Sequence, residues 1–278
     1  MAEREMVSLQ NDVEVKVANP LKEWFTVIVI LLCIVAGILI YLFILGNPAN
    51  FEGNDPAGHP KQGNYLGIMY KGGILVPIAI ALVLINVIFS IERLITLARA
   101  SGRGSVEVFV QKVQMLLENQ DVDGAIALCD EQRGTVGNVV KEALITYKKM
   151  IQEKELNKEQ KVAAIQKSIE ESLALELPML EKHLTIIATI VSVAVLVGLA
   201  GTVLGMIKAF SALATTGAPD AIGLANGISE ALVNTAFGII DATVATIAYN
   251  YFTSKIDDIT YRIDEAGYSI IQTFVEKH

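Results

Sequence analysis

Between Thr26 and Leu45 lie 20 consecutive residues without a charged side chain, and three more long apolar stretches follow. At about 1.5 Å per residue, 20 helical residues cross the roughly 30 Å of bilayer hydrocarbon. The second run is Ile74 to Ile91, interrupted by Pro77 and Asn86. The third is Leu184 to Ile207, and the fourth is Ile228 to Phe252, which contains Glu230, Asn234 and Asp241. A soluble chain with 53% hydrophobic residues would distribute them around one core; here they are clumped and separated by charged stretches. The expectation is an all-α polytopic membrane protein with four transmembrane helices and long cytoplasmic helical extensions. The acidic residues ahead of Thr26, among them Glu3, Glu5, Asp12 and Glu14, are foreign to a cleaved signal peptide, so the first run is read as a retained span.

Basic residues orient the spans. Arg99, Arg103 and Lys182 flank the segment between spans two and three, and Lys255, Arg262 and Lys277 mark the tail. The connection from Ser211 to Gly227 has no basic residue. Both termini and the long segment are therefore expected in the cytoplasm. The predicted order is a cytoplasmic segment 1–23, an extra span 24–45, a periplasmic loop 46–72, a span 73–97 and a cytoplasmic helical domain 98–183. A pore-type span 184–210, a periplasmic loop 211–226, a second pore-type span 227–252 and a cytoplasmic tail 253–278 complete it.

In the long segment, Phe109, Val113 and Leu117 recur at helical spacing, as do Val136, Val140, Ala143 and Tyr147. A stripe of Val162, Ile165, Ile169, Leu173, Leu177 and Leu180 predicts a helix running into span three, kinked near Pro178. Ile256, Ile259, Ile263, Ile270 and Phe274 predict the same beyond span four. Such stripes need packing partners. The net charge of −8 makes nucleic acid an unsuitable partner. His59, His183 and His278 have no metal-ligand spacing, and the two cysteines, Cys33 and Cys129, imply no disulfide framework. No cofactor motif is visible, and neither Ser–Lys, paired-Asp nor H-E-x-x-H chemistry is set into the spans, so an enzyme is not expected.

The polar residues of spans three and four carry the functional signal. Ala194, Gly198, Gly201 and Gly205 share one helix face and permit close helix approach. Lys208 stands near the outer end, where a long side chain can snorkel. At 100° per residue from Glu230, Asn234 falls at about 40° and Asp241 at about 20°, while Thr235, Thr243 and Thr246 fall at about 140°, 220° and 160°. The helix thus has a carboxylate side and a hydroxyl side, and neither suits lipid. Hydroxyls both donate and accept, so they can order water along a path. Glu230 to Thr246 covers about 24 Å of axial rise. Proton conduction, polar glue between helices (including a Glu230–Lys208 ion pair at the boundary) and solute transport all remain open at this point.

The segments VGLAGTVLGMIKAF, 197–210, and GISEALVNTAFGIIDATVATIAYNYF, 227–252, resemble the ExbB/TolQ/MotA proton-channel family, most closely its ExbB branch. The pairing of G-x-x-G-T-V-x-G-M with G-I-S-E-A-L-x-x-T-A-x-G carries the resemblance. It implies a homo-oligomer, a pentamer, around a dimer of an ExbD-like single-span protein whose membrane aspartate carries the proton. It also implies a TonB-like protein spanning the periplasm, a surrounding membrane lipid and an inner-membrane location. By this resemblance Thr202 and Thr235 would line the lumen and Glu230 would lie near the outer boundary. The ion pathway is expected to comprise Thr202, Thr235, Glu230, Asp241, Thr243 and Thr246. The chain departs from the family at Val195 and Val244, where prolines are common, at Asp241 and Thr246, and in the additional first span. Asp241 could be a second titrating site, a sodium ligand or a partner for Asn86. A TolQ/MotA-type stator or envelope-maintenance motor and a non-conducting scaffold are the rival readings.

Overall fold

The computed structural model describes residues 20–56, 58–214 and 220–277. The expected segment 1–23 lies mostly outside these residues, as does part of the expected loop 211–226. Among the described residues the regular structure is helical: α1 (Pro20–Leu39), α2 (Tyr65–Tyr70), α3 (Val76–Ala100), α4 (Val106–Glu118), α5 (Val122–Gln132), α6 (Gly134–Gln152), α7 (Lys158–Glu181), α8 (Leu184–Leu213) and α9 (Ala221–Lys277). Four helical stretches are long and apolar enough to cross a membrane: Trp24–Leu45, Gly73–Ala100, Leu184–Leu213 and the long α9. The chain is a polytopic all-α membrane protein.

Span one continues from α1 through a π-helical turn, Ile40–Leu45. It packs on α3, and Gly37 makes the approach possible: a β-carbon there would stand 2.6 Å from the Pro77 carbonyl oxygen. The polar segment after it is not merely irregular. Asn50 donates Nδ2 to the Ile44 and Leu45 carbonyls at 2.9 Å each, capping the end of the span. Tyr41 and Tyr70 stack with centroids 4.7 Å apart, and Asn64 caps α2 by accepting from the Gly67 amide.

The helices between spans two and three form a packed unit with the tail. Asp121 caps α5 by accepting from the Gly124 amide at 2.9 Å. Asn157 and Gln160 form a reciprocal capping box at the start of α7. The apolar stripes of α4, α6 and α7 converge on α9. Phe109, Leu117, Leu144, Tyr147, Ile165, Ile263, Ile270 and Phe274 are all buried, and Tyr147 meets Phe274 edge-on at 5.0 Å. The partners that the stripes require are thus supplied within the chain. Burying each such side chain stabilises by about 1.5–3 kcal/mol.

α9 is one helix of 57 residues, about 85 Å long. Its first half packs on α8 and α3 in the apolar layer, and its second half is the spine of the polar-segment bundle. The helix entering span three behaves differently from its sequence pattern. Pro178 lies inside α7, five residues before the actual break. The interruption comes at His183, whose φ of +66° is a left-handed conformation uncommon outside glycine. The stripe is therefore two helices, α7 and α8, joined at that residue.

Candidate functional site

The seam between α8 and α9 is built from residues with little or no side chain. Ala194, Gly198, Gly201, Gly205 and Ala209 are buried on α8, facing Gly227, Ala231, Asn234, Gly238 and Ala245 on α9. A β-carbon on Gly205 would stand 2.6 Å from the Ala231 nitrogen, and one on Gly227 would stand 2.6 Å from the Ala209 nitrogen. A β-carbon on Gly201 would overlap the Asn234 side chain. The two backbones touch because both helices are small at matching heights, with four- and three-residue spacings that keep those positions on one face.

Thr202 and Thr235 meet at this seam. Their hydroxyls are in hydrogen-bond contact, and each also bonds the carbonyl four residues back: Thr202 to Gly198 at 3.2 Å, Thr235 to Ala231 at 3.0 Å. Both are half-buried. A groove of about 620 Å³ lined by Thr202, Met206, Phe210 and Ser211 opens beside them. Thr243 and Thr246 are exposed and turn back onto their own helix, bonding Ile239 O at 2.8 Å and Ala242 O at 2.7 Å. The structure does not bring them to Thr202 within one chain.

The carboxylate side of α9 faces elsewhere. Glu230 is buried and receives Lys208 Nζ at 2.7 and 2.8 Å on its two oxygens. This is the boundary ion pair weighed from sequence, and it separates Glu230 from the threonine pair. The Glu230 carboxylate also occupies the space where a side chain on Gly73 would stand, and Gly73 has φ +77°. Beside it, Asn234 donates to Gly72 O at 2.6 Å and to Glu230 O at 2.9 Å. The Gly72–Gly73 turn at the entrance to α3 is thus a docking point for α9. Asp241 is also turned toward α3: Asn86 donates Nδ2 to its Oδ1 over 3.0 Å.

A further polar knot went unread in the sequence. Arg93 is 1% exposed and forks onto Glu92 at 2.6 and 2.7 Å, while its Nη1 donates to Leu180 O at 3.1 Å. His183 Nδ1 lies 3.1 Å from Glu92, and its Nε2 lies 3.1 Å from the Thr26 hydroxyl of α1. The knot joins three spans at the α7–α8 break. Charges at Glu92 and Arg93 read naturally as the exit of span two, because a neighbouring pair in sequence does not announce a partner 91 residues away.

Residues 135–265 match the MotA/TolQ/ExbB proton channel family, an interval that contains the whole α8–α9 seam. That interval, a little under half of the chain, is similar to the MotA/TolQ/ExbB family. An ExbB-like 3 biopolymer transport protein of Synechocystis is 40% identical over 89 residues, covering 31% of this chain and 42% of that protein. An ExbB homolog of Methanothermobacter thermautotrophicus is 26% identical over 221 residues, 77% of this chain and 74% of its own length. The Tol-Pal system protein TolQ of Pseudomonas aeruginosa is 43% identical over 76 residues, 27% of this chain and 33% of TolQ. The chain thus spans less than half the length of the first and third of these relatives. Both ExbB-named and TolQ-named proteins match, so the similarity reaches the family and not one branch of it. MotA/TolQ/ExbB members are channel and stator proteins rather than enzymes, and no cluster of metal-ligating side chains occurs among the described residues.

Proposed function

We propose that this protein is the proton-channel subunit of an ExbB–ExbD-like inner-membrane motor. The motor uses the proton motive force to energise a TonB-like periplasm-spanning protein for outer-membrane transport. The observation that carries this reading is the hydroxyl contact between Thr202 and Thr235, set in the apolar part of two touching spans beside an open groove. Paired hydroxyls there can donate to and accept from a partner's carboxyl group as it gains and loses a proton. Several copies would surround a lumen with these threonines on its wall; Thr243 and Thr246, exposed on the same side of α9, would extend the polar wall toward the tail. The single-span ExbD-like dimer would bring the proton-carrying carboxylate. Each charge moved through 100 mV contributes about 2.3 kcal/mol.

In this reading α8 and α9 are the pore-type spans, α1 is an accessory span, and both termini face the cytoplasm, as the distribution of Arg99, Arg103, Lys182 and Lys255 supports. Glu230 serves as the charge partner of Lys208 at the outer boundary. An envelope-maintenance motor of the TolQ type is the second reading, favoured by the similarity to the Pseudomonas protein. A non-conducting scaffold is the third.

The test is Thr235→Val, which keeps the shape and removes the hydroxyl. Oligomer assembly is expected to persist while proton flux into proteoliposomes containing the chain and its co-purified single-span partner falls at least tenfold. Unchanged flux with normal assembly rejects the channel reading. Identification of the co-purified partner distinguishes the TonB-type load from the Tol-type load.

A further inference from the structure

Asp241 lies in the apolar layer on the side of α9 away from the Thr202–Thr235 pair. It is six residues from Thr235, hence about 240° around the helix and about 9 Å along it. The residue is 4% exposed. Its Oδ1 accepts from Asn86 Nδ2. Its Oδ2 is buried and has no hydrogen-bond partner. Asn86 is 1% exposed and its Oδ1 in turn lies 3.4 Å from the Ser90 hydroxyl. Ser90 and Asn86 line a groove of about 410 Å³ between α3 and α9, closed on the other side by Val244, Ala248 and Tyr251.

Among the described residues no cation faces this carboxyl group. On α3 the nearest charges are Glu92 and Arg93, which are joined to each other and, through Glu92, to His183. The one charged residue of α8 is Lys208, which is joined to Glu230. On α9 the other titratable groups of the span are Glu230, Tyr249 and Tyr251, and on α1, which packs on the far side of α3, Cys33 is buried. A bare carboxylate with one neutral amide for company is unfavourable in hydrocarbon. The amide presents its donor, not its oxygen, so the site offers a small cation one free acceptor atom, Oδ2. That complement suits a proton, which needs a single oxygen, and does not suit a metal ion, which needs several.

We propose that Asp241, with Asn86 and Ser90, forms a proton-binding site internal to this chain at the α3–α9 interface, distinct from the threonine pair. The proton resides on Oδ2, Asn86 holds Oδ1, and Ser90 connects Asn86 to the groove. Occupied, the site is neutral and lets α3 and α9 close on one another. Emptied, it places an unbalanced charge between them and favours their separation or hydration. The site therefore makes the α3–α9 contact proton-linked, and it does not depend on the threonine pair lining a pore.

Infrared difference spectroscopy on the full chain in lipid nanodiscs tests this. The carbonyl stretch of a protonated carboxylic acid is expected in the wild type, absent in Asp241→Asn, displaced in Asn86→Leu, and unchanged when potassium is replaced by sodium. A spectrum identical in wild type and Asp241→Asn overturns the proposal, as does bleaching of the band by sodium. Should Asp241→Asn fail to fold, a band that does not move in Asn86→Leu overturns it equally. Thr235→Val is expected to retain the band whatever happens to its flux, so failure of the channel reading and failure of this site are separable.

Discussion

A β-carbon on Gly238 would stand 2.6 Å from the carbonyl oxygen of Ala194 and 2.9 Å from the α-carbon of Gly198. At that height α8 and α9 meet backbone to backbone. The hydroxyl contact between Thr202 and Thr235 exists because of this closeness, since each threonine side chain extends only two bonds from its helix.

Gly238→Val is therefore expected to push α8 and α9 apart. The obstacle is backbone on both sides, which cannot rotate away as a flexible side chain can. Overpacking of this kind costs about 1–3 kcal/mol. The thermal midpoint in detergent should fall, and a disulfide engineered across the seam as Thr202→Cys/Thr235→Cys should form less readily than in the parent. Equal crosslinking in both backgrounds would show that the seam has room to spare.

The Glu230–Lys208 pair predicts an asymmetry between single and double variants. Lys208→Gln leaves a buried carboxylate without its counter-charge, a loss of about 1–3 kcal/mol for a charged hydrogen-bonded group. Lys208→Gln combined with Glu230→Gln removes both charges and should recover most of that stability, because the cost arises from the unpaired charge rather than from the missing bond. A double variant no more stable than Lys208→Gln alone would mean that the pair is not what holds Glu230 in place. Thermal melts of the three variants measure the difference.

Cys129 offers a pH-linked test in the part of the chain outside the spans. Burial first, then the neighbouring Asp130 charge, push its thiol up from 9.0 to about 12. A raised acid favours the folded state while it stays neutral. Its contribution is present below pH 9 and is lost as pH rises from about 9 toward about 12. At pH 8 the folded protein should hardly react with iodoacetamide at Cys129, and denaturant should restore ordinary reactivity. Rapid labelling of the Cys129 peptide in the folded protein would show that α5 opens.

Much of this architecture was legible before any coordinate. The four apolar runs, the apolar stripes of α4, α6, α7 and α9, and the small-residue face of α8 follow from helical periodicity, a property of one segment at a time. Periodicity also placed Glu230, Asn234 and Asp241 on one side of α9 and the threonines on the other. The break at His183 was misplaced to Pro178 because proline is the usual interrupter, whereas here the interruption is a left-handed backbone held among Glu92, Thr26 and Phe89.

Helical periodicity assigns residues to a common face and requires those polar faces to be sheltered from lipid. What shelters them follows from how the helices pack. Glu230 found Lys208 22 residues away, Asp241 found Asn86 155 residues away, and Arg93 found the end of α7. The angle of a side chain around its helix axis is set by local geometry. The identity of the neighbour across a gap depends on how closely two helices pack and at what height, which the glycines of α8 and α9 settle jointly.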